Sequence, residues 1–154
     1  MKKIIAGVDE VGRGSLVGPV YAAAVILNKE INRKILKDSK KLNKIQRETL
    51  AKYIKKNSVW ALGSASIKEI EKINILNASL LSMKRAIKKL KLKPRKVLID
   101  GNKPPDLKNY VIKTIVKGDE KIPEISAASI IAKVERDKLM TVSYTHLTLP
   151  TILL

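Results

Sequence analysis

The chain has 154 residues, 45% of them hydrophobic and 30% charged, with 32 Lys and Arg against 14 Asp and Glu and no cysteine. That length and apolar content suit one domain with a real core, and the absence of cysteine excludes disulfides, thiolate nucleophiles and cysteine-ligated metals. The net charge of +18 points to an anionic partner, most simply nucleic acid, weighed against a surface merely kept wet by lysine. No segment approaches the roughly 20 apolar residues that span a bilayer, so a soluble, cytoplasmic protein without membrane association is expected. Met1 to Val8 has the outline of a signal sequence, but Asp9 and Glu10 interrupt its short apolar run.

Ile4 to Val8 reads as a buried strand, with Asp9 and Glu10 emerging where it stops, and Pro19 to Leu27 as a second strand that pairs with it as a hairpin through Gly14 to Gly18. Leu42, Ile45, Thr49, Tyr53 and Ile54 share one face and predict a helix over 43–56. Val59 to Ser66 reads as a third strand, weakened by Gly63. Leu76, Leu80, Met83, Ile87 and Leu90 recur at spacings of four and three and mark an amphipathic helix, whose Lys84, Arg85, Lys88, Lys89 and Lys91 form either a solvated face or a phosphate-binding stripe. Strands follow over Lys96 to Ile99, ending at Asp100-Gly101, and over Tyr110 to Val116, ending at Gly118-Asp119. A helix runs from Ser126 to about Met140. This order predicts an α/β domain with a mixed sheet.

Residues 141–154 contain no Lys, Arg, Asp or Glu. Residues 142–151 can be encoded by the end of a transposase adapter used in sequencing libraries. The domain is therefore expected to occupy 1–140, incomplete at its C-terminus, with 141–154 a non-native tail; a genuine apolar terminal strand is the alternative. Tyr144 and His146 lose their standing as site residues on that reading.

Asp9-Glu10-Val11-Gly12-Arg13-Gly14 is the most informative segment. Two ionised carboxylates about 4 Å apart repel by roughly 4 kcal/mol at an effective dielectric near 20, and a divalent cation is the usual way to keep both charged. The glycines let backbone N–H groups approach a phosphate, and Arg13 can grip its oxygens. Acid for metal beside base for phosphate suggests phosphodiester chemistry. Asp9, Glu10, Asp100 and Asp119 all lie at or just beyond apolar strands. Singly, each is equally a turn residue; together they carry enough oxygen ligands for two Mg²⁺ ions.

These residues, with Gly7-Val8 before them, Asp38-Ser39-Lys40-Lys41-Leu42, Leu98-Ile99-Asp100-Gly101-Asn102, Lys117-Gly118-Asp119 and Ile125-Ser126-Ala127-Ala128-Ser129-Ile130-Ile131-Ala132-Lys133-Val134, resemble the ribonuclease HII family, the type 2 ribonucleases H. The likeness runs from about Lys3 to Met140. It implies the ribonuclease H-like fold, a five-stranded mixed sheet flanked by helices. It also implies an endonuclease, a monomer, that cuts the RNA strand of RNA–DNA hybrids and cuts 5′ of ribonucleotides embedded in duplex DNA. By the resemblance, Asp9, Glu10, Asp100 and Asp119 bind two Mg²⁺ or Mn²⁺ ions, Asp119 being favoured over Glu120, Asp106 and Asp137. Gly12, Arg13 and Gly14 read the sugar-phosphate around the ribonucleotide.

On that reading one metal activates a water for in-line attack and the other stabilises the departing 3′ oxygen, giving a 3′-hydroxyl and a 5′-phosphate. The 2′-OH distinguishes the target nucleotide from DNA. Ser39, Lys40 and Lys41 hold the duplex backbone or simply form a polar start to the helix, and Asn102 belongs to the same substrate-binding set. Ser126 and Ser129 act as helix-start donors to phosphate or as caps. The alternatives are a catalytically impaired basic nucleic-acid-binding fragment and the related ribonuclease HIII, whose extra N-terminal domain is not expected here and whose pattern Arg13 suits less well.

Overall fold

The computed structural model describes residues 4–14, 18–36 and 39–153, with side chains through Thr141. Its five strands are β1 (Ile5–Val11), β2 (Val20–Leu27), β3 (Ser58–Ala65), β4 (Lys96–Asp100) and β5 (Val111–Ile115), in the order β3-β2-β1-β4-β5. β1 and β2 are antiparallel, as are β2 and β3, whereas β4 lies parallel to both β1 and β5. The helices are α1 (Lys44–Lys56), α2 (Ile67–Lys89), α3 (Gly118–Lys121) and α4 (Pro123–Leu153). This is the expected α/β architecture, a five-stranded mixed sheet flanked by helices. Among the described residues no helix is long and apolar enough to cross a membrane.

Strand alternation divides the core in two. Ala23, Val25 and Leu27 turn toward α1 and α4, where they meet Ile54, Ala127 and Ile131. Val8, Ala22, Ala24, Val97 and Ile99 turn the other way, onto Met83, Ala86 and Ile87 of α2. Ile54 is wholly buried where α1 meets α4. Ile54→Ala is expected to cost about 2–5 kcal/mol, read as a fall in the urea midpoint. A loss below that range would show that the α1–α4 seam closes around the cavity.

Several boundaries differ from the sequence pattern for physical reasons. α2 begins at Ile67, well before Leu76, under a capping box in which the Ser66 side chain accepts from the Glu69 N–H and the Glu69 side chain accepts from the Ser66 N–H. Asn74 then interrupts it with φ 72°, and its Oδ1 accepts from the Asn77 N–H at 3.0 Å, capping the second segment. The apolar periodicity from Leu76 registers only that second segment. Gly63 does not weaken β3. A Cβ there would overlap Ser82 and Ala86 of α2, so the glycine allows the helix to lie on the strand.

Ile45 is 75% exposed, so the buried side of α1 is Ala51 and Ile54 with Leu50 and Tyr53 rather than the whole predicted stripe. Arg85 is not a free member of the basic stripe, because its guanidinium makes paired bonds of 2.8 and 2.7 Å to Glu69. Asp137, weighed against Asp119 as an acid of the site, forms no ion pair among the described residues. Its carbonyl accepts from Thr141 instead. The backbone of α4 continues to Leu153, which excludes the terminal strand considered as an alternative for residues 141–154.

Candidate active site

β1 does not stop before its acids. It runs on to Val11, held by β2 through Asp9↔Ala23 and Glu10↔Ala22, whereas its pairing with β4 ends at Val8↔Ile99. One residue further along these parallel strands, Asp9 and Asp100 stand side by side. Val8 and Ile99 both point into the α2 core, so both aspartates turn to the opposite face, toward α4. Glu10 returns to the α2 face, beside Ser79, and pairs with Arg13 at 3.7 Å.

Asp119 does not end a strand. β5 finishes at Ile115, Lys117 adopts a left-handed conformation (φ 56°), and Asp119 lies in the short helix α3. Its N–H donates to Asp100 Oδ1 at 3.3 Å, and its carbonyl accepts from Ser126 Oγ at 2.7 Å. α3 is thereby tied to both β4 and α4.

Asp9 is only 7% exposed. Burial first, then the neighbouring Asp100, pushes its carboxyl well above the usual aspartate range, against the 2.8 Å hydrogen bond that Asp9 accepts from the Glu10 N–H; Glu10 and Asp119 add smaller repulsions. Burial also raises Glu10, with Arg13 and Ser79 pulling the other way. Among the described residues neither Glu10 Oε2 nor Ser79 Oγ, both buried, makes a hydrogen bond of normal geometry, although the Ser79 hydroxyl lies close enough to pull Glu10 down. A buried acceptor left unpaired costs about 1–3 kcal/mol. Hard oxygen donors with an orphaned, buried carboxylate oxygen are the donor set that suits Mg²⁺ or Mn²⁺. The acids do not form a ready-made cage: among the described residues no three His, Cys, Asp or Glu side chains converge on one point. Strand alternation accounts for this, since Glu10 projects from the face of β1 opposite Asp9.

The ribonuclease HII sequence profile matches residues 6–149. The chain belongs to the ribonuclease HII family. It is 75% identical over 139 residues to the ribonuclease HII of Pelagibacter ubique, covering 90% of this chain and 75% of that protein. It is 54% identical over 137 residues to the ribonuclease HII of Nitrosospira multiformis, covering 88% and 68%. Among solved structures, the ribonuclease H2 of Pyrococcus horikoshii superposes with a TM-score of 0.77 at 30% identity, over 92% of this chain and 75% of that one. The family is one of metal-dependent endoribonucleases that act on the RNA strand of RNA–DNA hybrids.

The glycine-flanked arginine of this family member sits on a tight backbone. Gly12 has φ +102°, and a Cβ there would lie 3.0 Å from both the Pro19 carbonyl and Arg136 Nε. Arg13 and Gly14 are exposed. Arg13, Ser79, Asp100, Asn102 and Lys103 line one small cleft between α2 and the end of β4, which puts Asn102 beside Asp100. Ser39 Oγ lies 3.4 Å from Ser126 Oγ, and Lys41 is exposed; Asp38 lies outside the described residues. Lys40 points inward to the acids, 2.7 Å from Glu120 Oε1 and 3.3 Å from Asp119 Oδ2.

The reading of Ser126 and Ser129 as helix-start donors or caps is corrected. α4 starts at Pro123, a residue suited to a first helical position, and both serines are buried within it. Ser126 Oγ lies within hydrogen-bonding range of the carbonyls of Leu36 (2.9 Å) and Asp119. Its role is to tie the turn at 33–36 and α3 to α4. Sequence reasoning missed Ser79, whose signal is a polar residue in the apolar stripe between Leu76 and Met83. It also missed Arg136, whose buried Nε beneath Gly12 has no hydrogen-bond partner among the described residues.

Proposed function

We propose that Asp9, Glu10, Asp100 and Asp119 hold two divalent cations, Mg²⁺ or Mn²⁺, and that the chain cuts RNA–DNA hybrids and cuts 5′ of single ribonucleotides in duplex DNA. The observation that carries this reading is the parallel pairing of β1 and β4, which brings Asp9 beside Asp100 with the Asp119 N–H bonded to Asp100. When bound, the cations supply the Lewis acidity that lowers the pKa of the attacking water and stabilises the departing 3′ oxygen.

The chain's own residues supply position and charge. Arg13, exposed beside Glu10, reaches out to the phosphate oxygens, while the strained turn at Gly12 brings backbone N–H groups close to the sugar-phosphate. Asn102, on the same cleft, lies where a nucleotide next to Arg13 would pass. Ser39, Lys40 and Lys41 approach from the far side of Asp119 and extend the positive surface along the duplex. The water oxygen bonds to phosphorus and releases a proton to solvent, the P–O3′ bond breaks, and the 3′ oxygen takes up a proton from solvent and leaves as a hydroxyl.

A DNA duplex carrying one ribonucleotide tests the reading. Mg²⁺ is expected to yield a nick on the 5′ side of the ribonucleotide with 3′-hydroxyl and 5′-phosphate ends, and EDTA is expected to abolish it. Binding that weakens with salt but produces no nick would instead support the non-catalytic basic binder that the charge of +18 makes the second reading.

A further inference from the structure

We propose that Glu120 is a positioning residue that draws Lys40 off Asp119 and so keeps that carboxylate available to a divalent cation. The inference rests on the metal-binding role given to Asp119 above. One ammonium bridges two carboxylates of different standing: Lys40 donates to Glu120 Oε1 at 2.7 Å and lies 3.3 Å from Asp119 Oδ2. Asp119 is the more enclosed of the two acids, and its backbone is fixed by Asp100 and Ser126. Glu120 is exposed on the outer side of α3, with Lys117 and Lys121 nearby. Lys40 itself is half exposed on a flexible four-carbon stem.

With no cation present, Lys40 compensates the charge of Asp119. A cation on Asp119 makes that position repulsive for a second positive charge. Glu120 then supplies the place to which the ammonium withdraws, next to where it already donates its shorter bond. Without the Glu120 carboxylate, Asp119 is the only acid among the described residues left in reach of Lys40, and Lys40 competes with the metal. The sequence of α3, with adjacent acids Asp119 and Glu120, thus gives one acid to the cation and one to the lysine.

Mn²⁺ titration of the full chain by calorimetry tests this, with thermal melts confirming that each variant folds. Glu120→Gln is expected to raise the Mn²⁺ Kd about fivefold, the factor carried by one charge pair near 4 Å in water. In a Lys40→Gln background the same change is expected to have little effect. A Glu120→Gln Kd equal to wild type would overturn the inference. So would an equal loss with and without Lys40, because that would make Glu120 a simple source of negative potential or a ligand. These results presuppose Mn²⁺ binding by the wild type that Asp119→Asn weakens. Failure of that binding would overturn the metal-site reading together with the inference, whereas its presence confines a negative result to the Glu120–Lys40 step.

Discussion

Asp9→Asn is expected to lower Mg²⁺-dependent cleavage by about a thousandfold and, in the metal-free protein, to raise the melting temperature. Both effects come from one carboxylate. In the fold Asp9 is buried, faces Asp100 and receives one hydrogen bond, from the Glu10 N–H. Its folded pKa therefore lies above the ordinary aspartate value of 3.8. With the folded value raised, the native state binds more protons than the unfolded state between those two pKa values. Stability falls as pH rises through that window and stays reduced above it. Above the unfolded value the buried Asp9 carboxyl, ionised at the cost of burial and of repulsion by Asp100 or else protonated, opposes folding, and an uncharged amide of the same shape removes that cost.

Replacements that relieve a functional strain commonly yield about 0.5–2 kcal/mol, and about 2–4 °C accompanies each kcal/mol in a chain of this size. Mn²⁺ is expected to stabilise the wild type by binding only the native state and to have a much smaller effect on Asp9→Asn. Calorimetric melts with EDTA and with Mn²⁺, alongside the nicking assay, measure all three quantities. An Asp9→Asn protein that melts below wild type in EDTA would show that Asp9 is a structural acceptor rather than an uncompensated charge.

Where apolar periodicity and local chemistry agreed, the fold was legible in the sequence. The hairpin of β1 and β2, the helix over 44–56 and the strands ending near Asp100 and Ile115 follow from residue pattern alone. That Asp9, Glu10 and Asp100 lie at strand ends was legible for the same reason, since a carboxylate beside a buried strand contradicts the pattern that precedes it; their grouping with Asp119 as metal ligands came from the family resemblance. What stayed hidden was tertiary. No periodicity reveals that Asn74 can break a helix and cap its continuation, so the first turns of α2 were lost. Asp119 follows a strand in the sequence but belongs to a one-turn helix, because Lys117 takes a left-handed conformation that propensity does not favour. Lys40 and Glu120 are 80 residues apart, and nothing local to either foretells the pairing. Ile45 matched the helical stripe but is left exposed by the position of α1 on the sheet.

Gly7→Ala is expected to destabilise the protein by at least about 3 kcal/mol, the upper range of overpacking, and to impair the site along with the fold. A Cβ on Gly7 would overlap the backbone of Glu124 and Ile125 at the start of α4. The collision is with main chain, so no side-chain rotation relieves it; β1 and α4 must separate. That separation reaches the candidate site directly. α4 anchors Ser126, which holds the Asp119 carbonyl, while β1 carries Asp9 two residues beyond Gly7. Displacing reacting groups by about 1 Å can cost on the order of a hundredfold in rate, so the fraction of Gly7→Ala that folds is expected to cleave poorly. Gly14→Ala is the matched control for stability, because a Cβ there meets nothing within 4 Å among the described residues, and its unfolding free energy should shift by no more than about 0.5 kcal/mol. Urea unfolding of the two variants decides the matter. Equal stability of Gly7→Ala and Gly14→Ala would mean that the seam between β1 and α4 yields, and that the glycine before the acid pair serves some purpose other than the close approach of α4.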